Sequence, residues 1–162
     1  PAHVLGLRDL VRLRPAGREH HVMEPICLAY TVPGDDFTRA GEASADPKTR
    51  LKKLGLPAGA VRRVAIALYE GEINLAIHAG GGEIAVTVAD DWVSMVLTDH
   101  GPGIPNIELA MSEGWSTASA EVRDLGFGAG MGLPNMKKYS DAFAIESTVG
   151  VGTTITMRVD IE

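Results

Sequence analysis

Among 162 residues there is one cysteine, Cys27, and it lies inside an apolar run. Neither an intrachain disulfide nor a cysteine metal site can be built from it, which suits a reducing cytoplasm. An excess of positive charge is also missing, since 15 Lys and Arg against 21 Asp and Glu leave a formal net charge of −6. Direct nucleic-acid binding is therefore not expected, because that partner calls for a basic footprint. No apolar run approaches the roughly 18 residues that span a bilayer, and the beginning of the chain lacks the apolar core of a signal peptide. The sequence thus reads as soluble and cytoplasmic, with no membrane partner. Two phosphate-binding signatures are absent as well. There is no GxxxxGK[ST] loop, and no glycine fingerprint follows directly on a strand within a βαβ unit, which excludes P-loop and Rossmann sites.

What is present fits one domain. With 45% hydrophobic residues, a chain of this length buries roughly 70% of its unfolded surface around a single core. Residues 1–21 carry Arg8, Arg12, Arg14 and Arg18 with few acids and read as a loosely ordered arm. The domain is placed at 22–162. Its centre is the stretch 61–79, VRRVAIALYEGEINLAIHA. On a helix turning about 100° per residue, Glu70, Asn74 and His78 fall on one narrow stripe, with Val64, Leu68 and Leu75 on one flank and Ile66, Ile73 and Ile77 on the other. A polar stripe on an apolar helix faces water, a buried network or a ligand, because unpaired buried polar groups cost about 1–3 kcal/mol each. Glu72 stands about 180° from Glu70 on this wheel and cannot act with it. Nothing in the sequence explains its place among the apolar flanks, with reach to an exposed helix edge as one option.

Around that helix the chain reads as a mixed, mostly antiparallel sheet of four or five strands, with about three helices on one face: a two-layer α/β sandwich. Residues 22–32 form a strand whose Pro25 suits a sheet edge. Asp35 or Asp36 caps a helix from Phe37, which Asp46-Pro47 should kink or break before it resumes to Gly55. Gly80 to Gly82 is a stop and a flexible joint. Residues 83–89 and 92–99 are a hairpin across Asp90-Asp91. At its end comes Asp99-His100-Gly101-Pro102-Gly103, where a lone carboxylate sits among glycines that let a flat ligand approach the backbone. Asn106 caps a short helix ending at Gly114. The longest irregular piece, 115–135, contains Gly126, Gly128, Gly130 and Gly132 just before a helical run through Met136 and Tyr139. Long loops in compact domains are usually lids or binding loops, and glycines before a helix offer free N–H groups to phosphate. Two strands, 141–148 and 153–160, close the chain.

The ordered set Glu70-x-x-x-Asn74, Asp99-x-Gly101-x-Gly103, Gly126 to Gly132 and Gly152-Thr153-Thr154 resembles the GHKL superfamily of ATPases and kinases, which is built on the Bergerat nucleotide-binding fold. The resemblance covers about residues 22–161. Within the superfamily, the small size, the E-x-x-x-N-x-x-x-H helix and the run GPGIPNIELAMSEGWST are most similar to bacterial anti-sigma-factor and stress-switch serine kinases, which act on partner-switching STAS-domain proteins. The resemblance implies ATP and Mg²⁺ as cofactors. It makes Asn74 a Mg²⁺ ligand, Glu70 the general base, and Asp99 the acceptor for the adenine amino group with Thr153 in support. Gly101, Gly103 and Ile104 line the purine, and Gly126, Gly128, Gly130, Met131, Gly132 and Leu133 serve the phosphates. For His78 a structural hydrogen bond is the simpler role, and Ser116 and Thr117 are lid residues that either touch the nucleotide or face solvent. The implied activity is transfer of the ATP γ-phosphate to a serine or threonine of a STAS-domain regulator. A sigma factor, a phosphatase or a second copy of the chain are further partners to consider. The competing expectation is a nucleotide-dependent binding module that sequesters a partner without phosphotransfer.

Overall fold

The computed structural model describes residues 24–34, 36–116, 118, 120 and 130–161. The arm 1–21, Asp35, Thr117, Gly126 and Gly128 lie outside them. Five strands form one sheet: β1 (Ile26–Pro33), β2 (Gly81–Val88), β3 (Trp92–Thr98), β4 (Ala142–Thr148) and β5 (Gly152–Asp160), in the order β1-β2-β3-β5-β4. All four pairings are antiparallel, so the sheet is not mixed. As Pro25 implied, β1 is an edge strand.

Register turns the alternation of each strand into rows across the sheet. One row runs Leu28, Val86, Met95, Met157, Phe143, and the next Tyr30, Ile84, Leu97, Ile155, Ile145. These residues form or pack against the core. Their neighbours on the opposite face, such as Cys27, Ala29, Glu83 and Ala85, are exposed. That face is the solvated one, as expected of an antiparallel sheet with one covered side.

The covering layer consists of α1 (Glu42–Lys53), α2 (Ala58–His78), α3 (Ile107–Ala110) and α4 (Gly132–Lys138), with a 3-10 turn at Phe37–Arg39. Asp36 caps that turn by accepting from Thr38 N–H. The expected break at Asp46-Pro47 does not occur, because Pro47 is buried within an unbroken α1 that starts at Glu42. A proline removes one ladder bond near the start of a helix, and here the start is held from outside. Its N-cap is Gly41, at φ +100°, which has no side chain to offer. Glu72 replaces it. One carboxylate oxygen accepts from Gly41 N–H and Ala43 N–H, both at 3.0 Å, and the other from Ser44 N–H at 2.9 Å. Glu72 is therefore not at an exposed edge; it is 2% exposed, a buried anion satisfied at a helix N-terminus. Tyr30 adds a second tie, donating to Asp46 at 2.5 Å. Burial, then that carboxylate, pushes the Tyr30 phenol up to about 12.

The long helix α2 packs on the sheet at Gly71, where a Cβ would come within 2.2 Å of Leu97 Cδ2. With Gly71 against the sheet, its neighbours point to opposite sides at about 100° each. Glu72 goes to α1 and Glu70 to the other flank. The joint expected at residues 80–82 is shorter than its three glycines, since β2 already begins at Gly81. A Cβ on Gly81 would meet Val32 O at 2.5 Å, and one on Gly82 would meet Thr98 O at the same distance. In the last turn of α2, burial holds the His78 imidazole below its ordinary value of 6.5.

Glu72→Gln should cost roughly 2–4 kcal/mol in chemical denaturation, since one carboxylate oxygen becomes a donor facing another donor. Glu70→Gln, two residues away, should stay within about 0.5 kcal/mol; equal losses would refute the assigned capping role. For His78, an unfolded chain takes up a proton as pH falls through about 6.5 while the folded chain resists, so its contribution is present above that pH and lost on acidification. Comparing melting from about pH 7.5 to about pH 5.5, His78→Asn should show a shallower decline than the unaltered protein.

Candidate functional site

Beyond the apolar rows the covered face of the sheet changes character. The next positions are Asp99, just past β3, Thr153 on β5, and Ser147 on β4, which pairs with Thr153. Asp99 N–H extends the ladder to Thr153 O at 2.9 Å. Asp99 and Thr153 of this row close one end of a cavity of about 600 Å³ between the sheet, α2 and α4. Along one wall run Glu70, Asn74 and His78 of the α2 stripe, with Ile73 and Ile77 beside them. Gly103, Ile104, Asp99 and Thr153 form the far end, and Gly130, Met131, Gly132 and Leu133 line the approach to α4. Pieces far apart in sequence therefore meet in one space.

Asp99 is 7% exposed and its orientation is fixed. Its Oδ1 accepts from Gly101 N–H at 2.9 Å and from Thr153 N–H at 3.1 Å. That arrangement leaves Oδ2 as the oxygen available to a donor in the cavity. Gly101 does not itself line the cavity. A Cβ there would come within 2.8 Å of Ala79 Cα, so this glycine lets the turn close against the end of α2. Gly103, at φ +78°, passes the β4–β5 turn so closely that a Cβ would lie 2.6 Å from Thr148 O. Gly150 N–H donates to Pro102 O at 2.9 Å, which locks the two turns together.

At the opposite end Glu70 points past the first residue of α4, its Oε2 3.6 Å from where a Gly132 Cβ would stand. Asn135 Nδ2 donates to Glu70 Oε1 at 3.3 Å, which ties the carboxylate to α4. The helix starts at Gly132, so the irregular stretch ends earlier than residue 135. Its two ends meet: Gly114 N–H donates to Gly130 O at 3.0 Å, and both glycines have positive φ. Ser116 lines the cavity, and the rim is apolar, with Tyr69, Trp115 and Met131 each more than a third exposed. Among the described residues no group of three or more His, Cys, Asp or Glu side chains is placed to hold a metal ion. The stripe offers two hard oxygen donors, the amide oxygen of Asn74 and the carboxylate of Glu70.

Sequence reasoning missed Asn135, Ser147 and the aromatic rim. Ser147 did leave a signal, as the one polar residue at an inward position of β4 after Phe143 and Ile145.

The chain is similar to several known proteins. Residues 59–162 match the family described as histidine kinase-, DNA gyrase B-, and HSP90-like ATPase. The serine/threonine-protein kinase RsbT of Bacillus subtilis is 33% identical over 108 residues, which cover 64% of this chain and 75% of that protein. An anti-sigma F factor of Caldanaerobacter subterraneus is 32% identical over 96 residues, 56% of this chain and 64% of that relative. Among solved structures, the RsbU and RsbW domains of a Mycobacterium tuberculosis protein superpose with a TM-score of 0.57 at 17% identity, covering 84% of this chain and 32% of that one. This last likeness speaks for the fold alone, while the family match spans α2, the Asp99 turn, α4 and β5, the elements that build the cavity, and so the chain belongs to the histidine kinase-, DNA gyrase B- and HSP90-like ATPase family.

Proposed function

We propose that the chain is an ATP-dependent serine/threonine-protein kinase of the partner-switching type, which transfers the ATP γ-phosphate to a serine or threonine of a STAS-domain regulator in the cytoplasm. The observation that carries this reading is the placement of Glu70 and Asn74 on one face of α2, in the same cavity as the oriented carboxylate of Asp99. Kinship with RsbT, a protein named as a serine/threonine kinase, supports it.

In this reading each residue has one task. Asp99 Oδ2 accepts from the exocyclic amine of adenine, because Oδ1 is already engaged by two backbone N–H groups. Thr153 lies beside it, Ile104 forms an apolar wall, and Gly101 and Gly103 hold the turn that carries them. Gly130, Met131, Gly132 and Leu133 direct backbone toward the phosphates; Gly126 and Gly128, expected to serve there too, lie outside the described residues. Asn74 would offer its amide oxygen to Mg²⁺, which would supply charge neutralisation at the phosphates. Glu70 takes the proton of the substrate hydroxyl; the hydroxyl oxygen bonds to the γ-phosphorus, and the bond from that phosphorus to the β,γ-bridging oxygen breaks to release ADP. By donating to Oε1, Asn135 leaves Oε2 to receive that proton.

A second reading, sequestration of a partner such as a sigma factor without phosphotransfer, draws on the exposed apolar rim of Tyr69, Trp115 and Met131 and on the anti-sigma F relatives. Both readings use the same nucleotide pocket, so phosphotransfer is what separates them.

Calorimetry should show Mg-ATP binding to the unaltered protein and a loss of about 10- to 100-fold in affinity for Asp99→Asn, where the acceptor pair is broken. An unchanged affinity would remove Asp99 from the adenine site. Glu70→Ala should keep ATP affinity within about threefold while phosphate transfer to a STAS-domain substrate falls by about 10²- to 10⁴-fold. ATP binding without phosphorylation of any partner by the unaltered protein would favour sequestration.

A further inference from the structure

Ser147 lines no part of the cavity, yet two residues of its far wall and the neighbouring Gly152 converge on its hydroxyl. Ile104 N–H donates to Ser147 Oγ at 2.7 Å, Thr153 Oγ1 lies 2.8 Å away, and Gly152 O lies 3.3 Å away. Ile104 and Thr153 are cavity-lining residues. Thr153 is also the residue whose N–H orients Asp99. We propose that Ser147 is a positioning residue for base recognition: through Ile104 and the Thr153 hydroxyl it sets which hydrogen-bonding groups the far wall presents to a purine. This inference rests on the reading of the cavity as an ATP site.

The hydroxyl inventory carries the step. A serine hydroxyl has one proton and two lone pairs. Ile104 N–H occupies one lone pair, which leaves one proton and one lone pair for Thr153 Oγ1 and Gly152 O. If the proton goes to Gly152 O, the Thr153 hydroxyl donates to Ser147 and turns its lone pairs toward the cavity. If the proton goes to Thr153 Oγ1, the Thr153 proton is free to donate into the cavity. In both arrangements a hydrogen bond from or to Ser147 limits how the Thr153 hydroxyl can point, and neither survives its removal. Ile104 N–H then loses its acceptor and the Thr153 hydroxyl loses the partner that orients it. The wall no longer distinguishes a ring bearing an amine from one bearing a carbonyl as sharply as Asp99 Oδ2 alone requires.

Affinities for ATP and for GTP, measured by calorimetry on the full chain, test this. Ser147→Ala should weaken ATP by about tenfold and narrow the ratio of ATP to GTP affinity by a similar factor, with Tm recorded to verify folding. In the Thr153→Val background, where the rotor is already gone, Ser147→Ala should cost less than about threefold more, since residues acting through one another are not additive. If Ser147→Ala does not fold, Ser147→Cys, a poor acceptor, replaces it in the same comparison. Unchanged ATP affinity and base preference in a folded variant, or fully additive losses in the double variant, would overturn the inference alone. Failure of the unaltered protein to bind ATP would overturn the reading of the cavity and this inference with it.

Discussion

A carboxylate removed from water must find donors, and in this protein that requirement falls on Glu72. Ionised and buried without partners, it would cost several kcal/mol. Three backbone N–H groups at the start of α1 satisfy it instead. The dependence is mutual, because Gly41 gives α1 no capping side chain of its own. The pair also fixes how α2 is turned about its axis. Gly71 must face Leu97, Glu72 must face α1, and Glu70 is then left no direction but the cavity. The orientation of the cavity-facing acid follows from a structural acid two residues away.

The sheet imposes the complementary constraint. Its covered face is apolar for row after row and then ends in Asp99, Thr153 and Ser147. A polar row placed at the end of a core, where one side opens on a cavity, lets its groups be ordered by backbone while remaining within reach of a ligand. Asp99 shows both properties, with one oxygen bound to the protein and the residue almost wholly removed from solvent.

How much of this was legible in the sequence depended on the range of the interactions. The α2 stripe was legible because helical periodicity is local, and Glu70, Asn74 and His78 do line one cavity. The hairpin of β2 and β3 and the edge position of β1 followed from alternation and from Pro25. The break at Pro47 was misjudged because a proline rule counts only ladder bonds, whereas the start of α1 is secured from a residue about thirty positions downstream. Glu72 was misplaced for the same reason. Asn135 reaches Glu70 across 65 residues, and nothing in its own neighbourhood announces that contact. Ser147 was readable in principle, as a hydroxyl breaking an inward apolar pattern.

The meeting of Gly114 with Gly130 has a consequence for how such a domain diversifies. A Cβ on Gly130 would lie 2.4 Å from the Gly114 carbonyl carbon, so the chain leaves the frame and rejoins it at nearly one point. The stretch between is thereby a cassette. Because closure entropy grows slowly with length, its size and chemistry can change while the walls on either side keep their places. Selection can then rewrite the sequence between these two glycines without reopening the question of how the interior is built.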